Sequence, residues 1–154
     1  MSGVRQPVEG LRGPREGVEG LVYFGRMVDK LRLESMGKLP EDYRANLGEG
    51  FDKACCEFLG VGYGKLKERV RQGGTDEEIL KWCEKEGRLR DSGERKVWSE
   101  FLAKRGWRDE MADRLLFRKK EAGWEKRDEI ETFFDYIDAD EGRLGEGLSI
   151  LRSV

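Results

Sequence analysis

The sequence predicts an all-α domain, and three observations carry that expectation. Apolar residues recur at helical spacing in six or seven separate stretches. Glycines close most of these stretches, at Gly37, Gly60, Gly73-Gly74 and Gly87. No run of four or more residues alternates apolar with polar in the manner of a half-buried strand. With 154 residues, the chain has the length for one compact domain with a real core.

Taken in order, residues 1–17 hold Pro7, Gly13 and Pro14 among polar neighbours and read as an irregular arm. From 18 to 36, Leu21, Phe24, Met27, Val28 and Leu31 share one helical face, and Gly37 with Pro40 stops the helix. Phe51, Ala54, Cys55, Phe58 and Leu59 form the next stripe. Leu66 and Val70 mark a short, exposed helix. Thr75 with Glu78 three residues on is a capping box, and it opens a helix that turns Ile79, Leu80 and Cys83 inward. Val97, Trp98, Phe101 and Leu102 predict another inward stripe, followed by Met111, Leu115 and Leu116. The last helix carries Ile130, Phe133, Phe134 and Ile137, with Asp128, Glu131, Asp135 and Asp138 opposite as a solvated acidic face. A short extended tail is expected near Leu148–Leu151. The domain then runs from 18 to 154.

Two stretches echo each other. "EFLGVGYGKL" (57–66) and "EFLAKRGWRDEM" (100–111) both give Phe-Leu, then a glycine and an aromatic, then a new helix. This suggests two similar three-helix units, 48–88 and 92–143, behind the N-terminal helix, with Tyr63 and Trp107 as matching core anchors.

The stretches "RMVDKLRLESMGKLPEDY", "GFDKACCEFLGVGY", "GGTDEEILKWC", "KRGWRDE" and "DEIETFFDYIDADEGR" together resemble the bacterial family called domain of unknown function 5069. The resemblance runs from about Leu21 to Arg143. It implies a small, mainly helical bacterial domain. The family has no assigned activity, so no catalytic or binding residue is carried over.

Composition works mostly by exclusion. There is no histidine, which removes Ser-His-Asp and Cys-His catalysis and every His-ligated metal. Cys55, Cys56 and Cys83 are odd in number and lack C-x-x-C spacing, so buried reduced thiols are expected rather than a disulfide framework or a zinc site. The first twenty residues have no apolar run, and no signal peptide is expected. No apolar stretch is long enough to span a membrane. Cytoplasmic location is the expectation. Charged residues make up 40% of the chain at a net charge of −2, a mixed surface unlike that of a basic nucleic-acid binder.

Three constellations are candidate sites. The N-terminal helix places Arg26, Asp29, Lys30 and Arg32 among apolar residues. Its second side, with Val22 and Leu33, is not plainly polar, so something is expected to cover it; the charges read first as an inter-helix joint and second as a ligand cluster. Trp107, Arg108 and Asp109 form a candidate surface beside a basic segment, 88–127, which carries 13 Lys/Arg against 8 Asp/Glu. Asp135, Asp138 and Asp140 form the candidate site for a divalent cation such as Mg, Ca or Mn. The acidic stretch needs cations nearby, and Arg143, Arg108, Arg105 or Lys104 are the expected partners. The favoured function is a non-enzymatic helical binding or interaction domain with no cofactor, acting through the groove between the N-terminal helix and the second unit. A protein partner or self-association is open. A metal-dependent enzyme using 128–141 is the alternative, and a nucleic-acid contact through 88–127 the third reading.

Overall fold

The computed structural model describes residues 6–144. Within them lie seven helices: α1 (Phe24–Ser35), α2 (Phe51–Leu59), α3 (Tyr63–Arg71), α4 (Asp76–Glu86), α5 (Ser92–Ala103), α6 (Ala112–Glu121) and α7 (Phe133–Asp140). A 3-10 turn at Glu41–Asn46 joins α1 to α2. Among the described residues there is no strand, only an isolated bridge between Val18 and Leu21. None of their helices is long and apolar enough to cross a membrane. The tail expected at Leu148–Leu151 lies outside the described residues.

Local chemistry sets the helix ends. After α1, the Lys38 amide donates to the Leu33 carbonyl at 2.8 Å and the Gly37 amide to Glu34 at 3.0 Å. That is a Schellman stop, and Gly37 has the positive φ it demands. The same pairing recurs at Gly60. Thr75 and Glu78 form the expected capping box of α4. Asp91 with Glu94, and Thr132 with Asp135, form two more that the sequence reading did not single out.

α1 is the hub. Phe24, Met27, Val28 and Leu31 pack with Cys55, Cys56 and Leu59 of α2, Leu66 and Val70 of α3, and Ile79, Leu80 and Cys83 of α4. Leu102 and Phe134 bring α5 and α7 into the same core. A smaller cluster of Leu115, Trp124, Ile130, Ala139 and Leu144 joins α6 to α7. A third, of Leu11, Leu33, Leu39 and Tyr43, sits beneath the arm. All three cysteines are free and buried. Burial pushes the Cys56 and Cys83 thiols up to about 12, so they stay protonated and inert.

Several expectations are corrected. α1 starts at Phe24, not near 18, because Glu19 and Gly20 both take positive φ and fold Val18 back onto Leu21. α3 was expected to be exposed, yet Leu66 and Val70 are buried. α5 turns Trp98, Ser99 and Leu102 inward and leaves Val97 72% and Phe101 54% exposed. Trp107 is no core anchor. Gly106 is the buried residue of that turn, packed against Leu115 and Phe133, and the chain directs the next side chain outward. Asp135 does not belong to a solvated face, since it is fully buried. Each segment of the echo holds three helices, but matched positions pack differently. Phe58 stacks on Trp98 at 4.7 Å, while its counterpart Phe101 faces solvent.

Leu102→Ala should cost about 2–5 kcal/mol as a core truncation. Phe101→Ser, one residue away, should stay within about 0.5 kcal/mol in dilute solution. Urea denaturation of the two variants checks the register of α5; equal losses would mean that Phe101 is buried.

Candidate functional site

α1 is buried on nearly every side, and that includes its charges. Arg26, Asp29 and Lys30 are each 6% exposed or less. Burying a charge is costly unless it is paired and hydrogen-bonded, so the partners define the site.

Arg26 forks onto Glu141 at the end of α7, with NH1 to Oε1 at 2.9 Å and NH2 to Oε2 at 2.6 Å. Glu141 also accepts from the Tyr43 hydroxyl at 2.6 Å and from Arg143. Burial alone would raise the Glu141 carboxyl, but the Arg26, Tyr43 and Arg143 hydrogen bonds hold it at about 2. Burial likewise works against the Arg26 guanidinium, and Glu141 lifts it above its ordinary value.

Asp29 takes the Arg12 backbone amide and the Arg12 Nε, both at 2.9 Å. The far side of the same guanidinium reaches Asp76, the first residue of α4, at 2.8 and 3.0 Å. Arg32 closes the square, 2.8 Å from Asp76 and 3.5 Å from Asp29. The Arg12 guanidinium lies flat over α1 at Gly25, where a Cβ would come within 2.7 Å of its central carbon.

On the other flank, Lys30 Nζ lies 2.8 Å from Asp52 Oδ1 and donates to the Tyr23 hydroxyl at 3.0 Å. Tyr23 in turn donates to Asp52 at 2.8 Å, and the Gly48 amide caps the other Asp52 oxygen at 3.0 Å. Burial lowers the Lys30 ammonium and raises the Tyr23 hydroxyl far above its usual range. Both groups are enclosed, so neither offers a nucleophile or base to a substrate.

The acidic helix meets the arm. Arg15 donates to Asp138 at 2.6 Å and to Asp135 at 2.5 Å. The other oxygen of Asp135 accepts the Glu131 and Thr132 amides. These bonds point the carboxylates at the arm rather than round a common centre. Among the described residues, no group of three or more His, Cys, Asp or Glu side chains is placed to hold a metal ion, so Asp135, Asp138 and Asp140 do not form one. Burial raises the Asp138 carboxyl despite its cationic neighbours.

The joint expected at Arg26, Asp29, Lys30 and Arg32 is thus assembled, and its partners are Glu141, Arg12, Asp52 and Asp76. Of the cations expected to offset the acidic stretch, Arg143 is in place. Arg105 and Lys104 are not; they pair locally with Asp109 and Glu110, and with Glu100. Arg26 and Arg15 stand there instead. Sequence reasoning missed Arg12, Arg15, Tyr43 and Asp52, whose partners lie up to 123 residues away; a period count cannot see such distances. The one available signal was the set of charges on the side of α1 that also carries Val22 and Leu33, and it named only one half of each pair.

The third constellation lies apart from this network. Asp109 caps its own turn by accepting the Gly106 and Met111 amides. The Arg108 guanidinium sits 5.2 Å over the Trp107 ring, which is 45% exposed. Eight of the 13 cations of 88–127 are already engaged locally, seven with carboxylates and Lys119 with the carbonyls of Arg127 and Ile130. The segment therefore presents far less free positive charge than its composition suggests.

A family model described as a domain of unknown function, DUF5069, matches residues 8–143. The chain belongs to this family. The DUF5069 match begins upstream of Leu21 and takes in the arm from residue 8 on, so the charge network from Arg12 to Arg143 lies inside the family's span. No curated protein matches the chain.

Glu141→Ala should destabilise the domain by about 3–5 kcal/mol, because it strands the buried Arg26 charge. Replacing Arg26 and Glu141 together by Met and Leu should lose much less. The sign of the pH dependence follows from the low folded value. With the Glu141 carboxyl near 2 against an ordinary 4.5, the pair stabilises fully above 4.5, and its contribution declines as pH falls toward 2. Denaturant melts across that window should show a decline that is shallower in Glu141→Gln, where the other ion-paired carboxylates, Asp76 among them, still titrate. Gly25→Ala should destabilise the native chain but cost little in an Arg12→Ala background, a double-mutant cycle that tests the guanidinium's close approach.

Proposed function

We propose that the protein is a non-enzymatic binding domain whose site is the groove between the turn leading into α1 and helix α5. The observation that carries the reading is a cleft of about 490 Å³ at that seam, lined by Gly20 and Val22 on one wall and Ser92, Lys96, Ser99 and Ala103 on the other. The α5 residues follow one another at intervals of four, three and four, so they share a helix face about 16 Å long. Of the four, Ser99 bridges the seam to Val22 and Gly20, while Ser92 and Ala103 are too short to do so, and the cleft stays open beside that bridge. A cleft of this size is within the range of small-ligand sites.

The lining is mixed in charge, with Glu19 and Glu100 beside Arg15, Arg95 and Lys96; Glu100 is held by Lys104, and the reading as a site for a small organic anion rests on Lys96. Lys96 is exposed and makes no ion pair among the described residues. Val22 and Ala103 supply apolar wall. The Ser99 hydroxyl is already committed, accepting from the Val22 amide at 3.1 Å and donating to the Gly20 carbonyl at 3.2 Å. Arg15 and Arg95 border the cleft but are held by Asp135, Asp138 and Glu84. The non-enzymatic reading is supported by the enclosure of the unusual titrating groups, Lys30, Tyr23 and Glu141. Three free thiols fit a reducing, cytoplasmic setting.

Screening small carboxylates and phosphate esters by protein-observed NMR tests this. Binders should shift the amides of Gly20, Lys96 and Ala103 and should lose the effect in Ala103→Trp, which fills the seam. If the set leaves those amides unmoved, or moves them equally in the filled variant, the groove is not the site.

A further inference from the structure

Helix α5 has a face that no other helix of the described chain covers; only the Arg105 guanidinium lies over it, 5.0 Å from the Phe101 ring centre. Five of the seven large apolar side chains exposed among the described residues fall between Val97 and Phe117. Two of them, Val97 and Phe101, belong to a regular series. Glu94, Val97, Phe101 and Lys104 are spaced three, four and three, the seam spacing of paired helices, and lie within about 80° of one another around the axis. All four are exposed. The series is apolar at its centre, acidic at one end and basic at the other.

That arrangement is complementary to itself. In an antiparallel pair of α5 helices related by a twofold axis near residue 99, residue i faces residue 198 − i of the other helix. Val97 then meets the Phe101 of the second copy, and Phe101 its Val97. Glu94 meets Lys104, and Lys104 meets Glu94. Gly93, beside Glu94, adds no side chain to hinder the approach. A parallel pair would set Glu94 on Glu94 and Lys104 on Lys104, like charge on like at both ends. Glu94 keeps Oε1 in the α5 capping box, and its Oε2 bond to Arg90, like that of Lys104 to Glu100, at 3.0 and 3.3 Å, involves side chains that are 45% to 63% exposed on all but the Arg90 side, so these two ion pairs exchange readily with a partner across an interface.

We propose that the Glu94–Lys104 face of α5 is a self-association surface, on which a second copy of this chain docks antiparallel to form an isologous, weak dimer. The interface is short, and it belongs to the fast-exchanging class rather than to permanent dimers. It uses the outer face of α5, away from the Ser92–Ala103 groove, so the two readings stand or fall separately.

Sedimentation equilibrium over a wide concentration range tests the association. The wild-type chain should show reversible dimerisation. Phe101→Ser should weaken it by about tenfold or more, with the helical circular dichroism and thermal midpoint of the dilute protein unchanged. Lys104→Glu should also weaken it, and adding Glu94→Lys in the same chain should restore part of the loss, because the reversed ends again face each other. Orientation is read by cross-linking, for which the buried native thiols give a low background. A mixture of Val97→Cys and Phe101→Cys chains should form the mixed 97–101 disulfide faster than either variant forms its own. A chain that stays monomeric throughout, or one that dimerises unaffected by Phe101→Ser, overturns the proposal. Preferential 97–97 cross-linking overturns the antiparallel arrangement, and binding of this face to a different protein with no self-association assigns the surface to another partner.

Discussion

A guanidinium from the first helix and a carboxylate from the end of the last one meet inside this protein, and neither can be left alone there. Arg26 is 4% exposed and Glu141 1%. Once that pair forms, α7 must end where α1 passes, and Tyr43 and Arg143 must come close enough to saturate the remaining lone pairs of the carboxylate. The Arg26 NH1 group also holds the Arg12 carbonyl at 3.1 Å, which brings the arm onto the same spot. Residues from four separate parts of the chain are thereby fixed relative to one another by a single carboxylate. Apolar packing alone would tolerate several arrangements of short helices, whereas a buried charge accepts only the one that satisfies it.

The arm is part of this logic rather than an appendage. Its two arginines each span two carboxylates, Arg12 between α1 and α4, and Arg15 across one face of α7. The helices are eight to twelve residues long, too short to be stable alone. Charged staples that cross between them add order that a small core does not supply. The same enclosure shapes the functional reading. Groups whose protonation is strongly shifted normally point to catalysis, but here they are shifted because they are sealed within pairs. What remains open to solvent is a groove and a helix face, features suited to binding.

Legibility differed between elements for physical reasons. The glycine stops at Gly37 and Gly60 and the Thr75 cap could be read directly, because they depend on neighbours within six residues. The apolar stripe of α1 was equally plain. α5 was misread because Val97, Phe101, Trp98 and Leu102 spread over about 140° of the helix surface; periodicity finds such a face but cannot say which edge of it meets the core. Trp107 was misread because aromatic residues are usually anchors, while the orientation of a turn depends on what buries the residue before it. The charge cluster on α1 was noticed, and its role as a joint was the first reading. Its partners stayed hidden, since nothing in Arg12 or Glu141 marks one for Asp29 and the other for Arg26.

By itself the sequence determined that the chain is helical, roughly where each helix stops, that it does no histidine chemistry, and that charges on α1 required covering. Those follow from backbone conformation, side-chain inventory and the cost of burying charge, all of which act locally or by composition. Only the tertiary structure decided which carboxylate meets which guanidinium, that Asp135 and Asp138 of the acidic helix meet Arg15 of the arm, and that Val97 and Phe101 of α5 are left exposed. These are outcomes of which surfaces meet across separations of 17 to 123 residues. Desolvation makes each such meeting favourable only when nearly all of the buried polar atoms are satisfied at once, with the Arg26 Nε and the Tyr63 hydroxyl as the exceptions among the described residues, a condition on the whole fold rather than on any stretch of it.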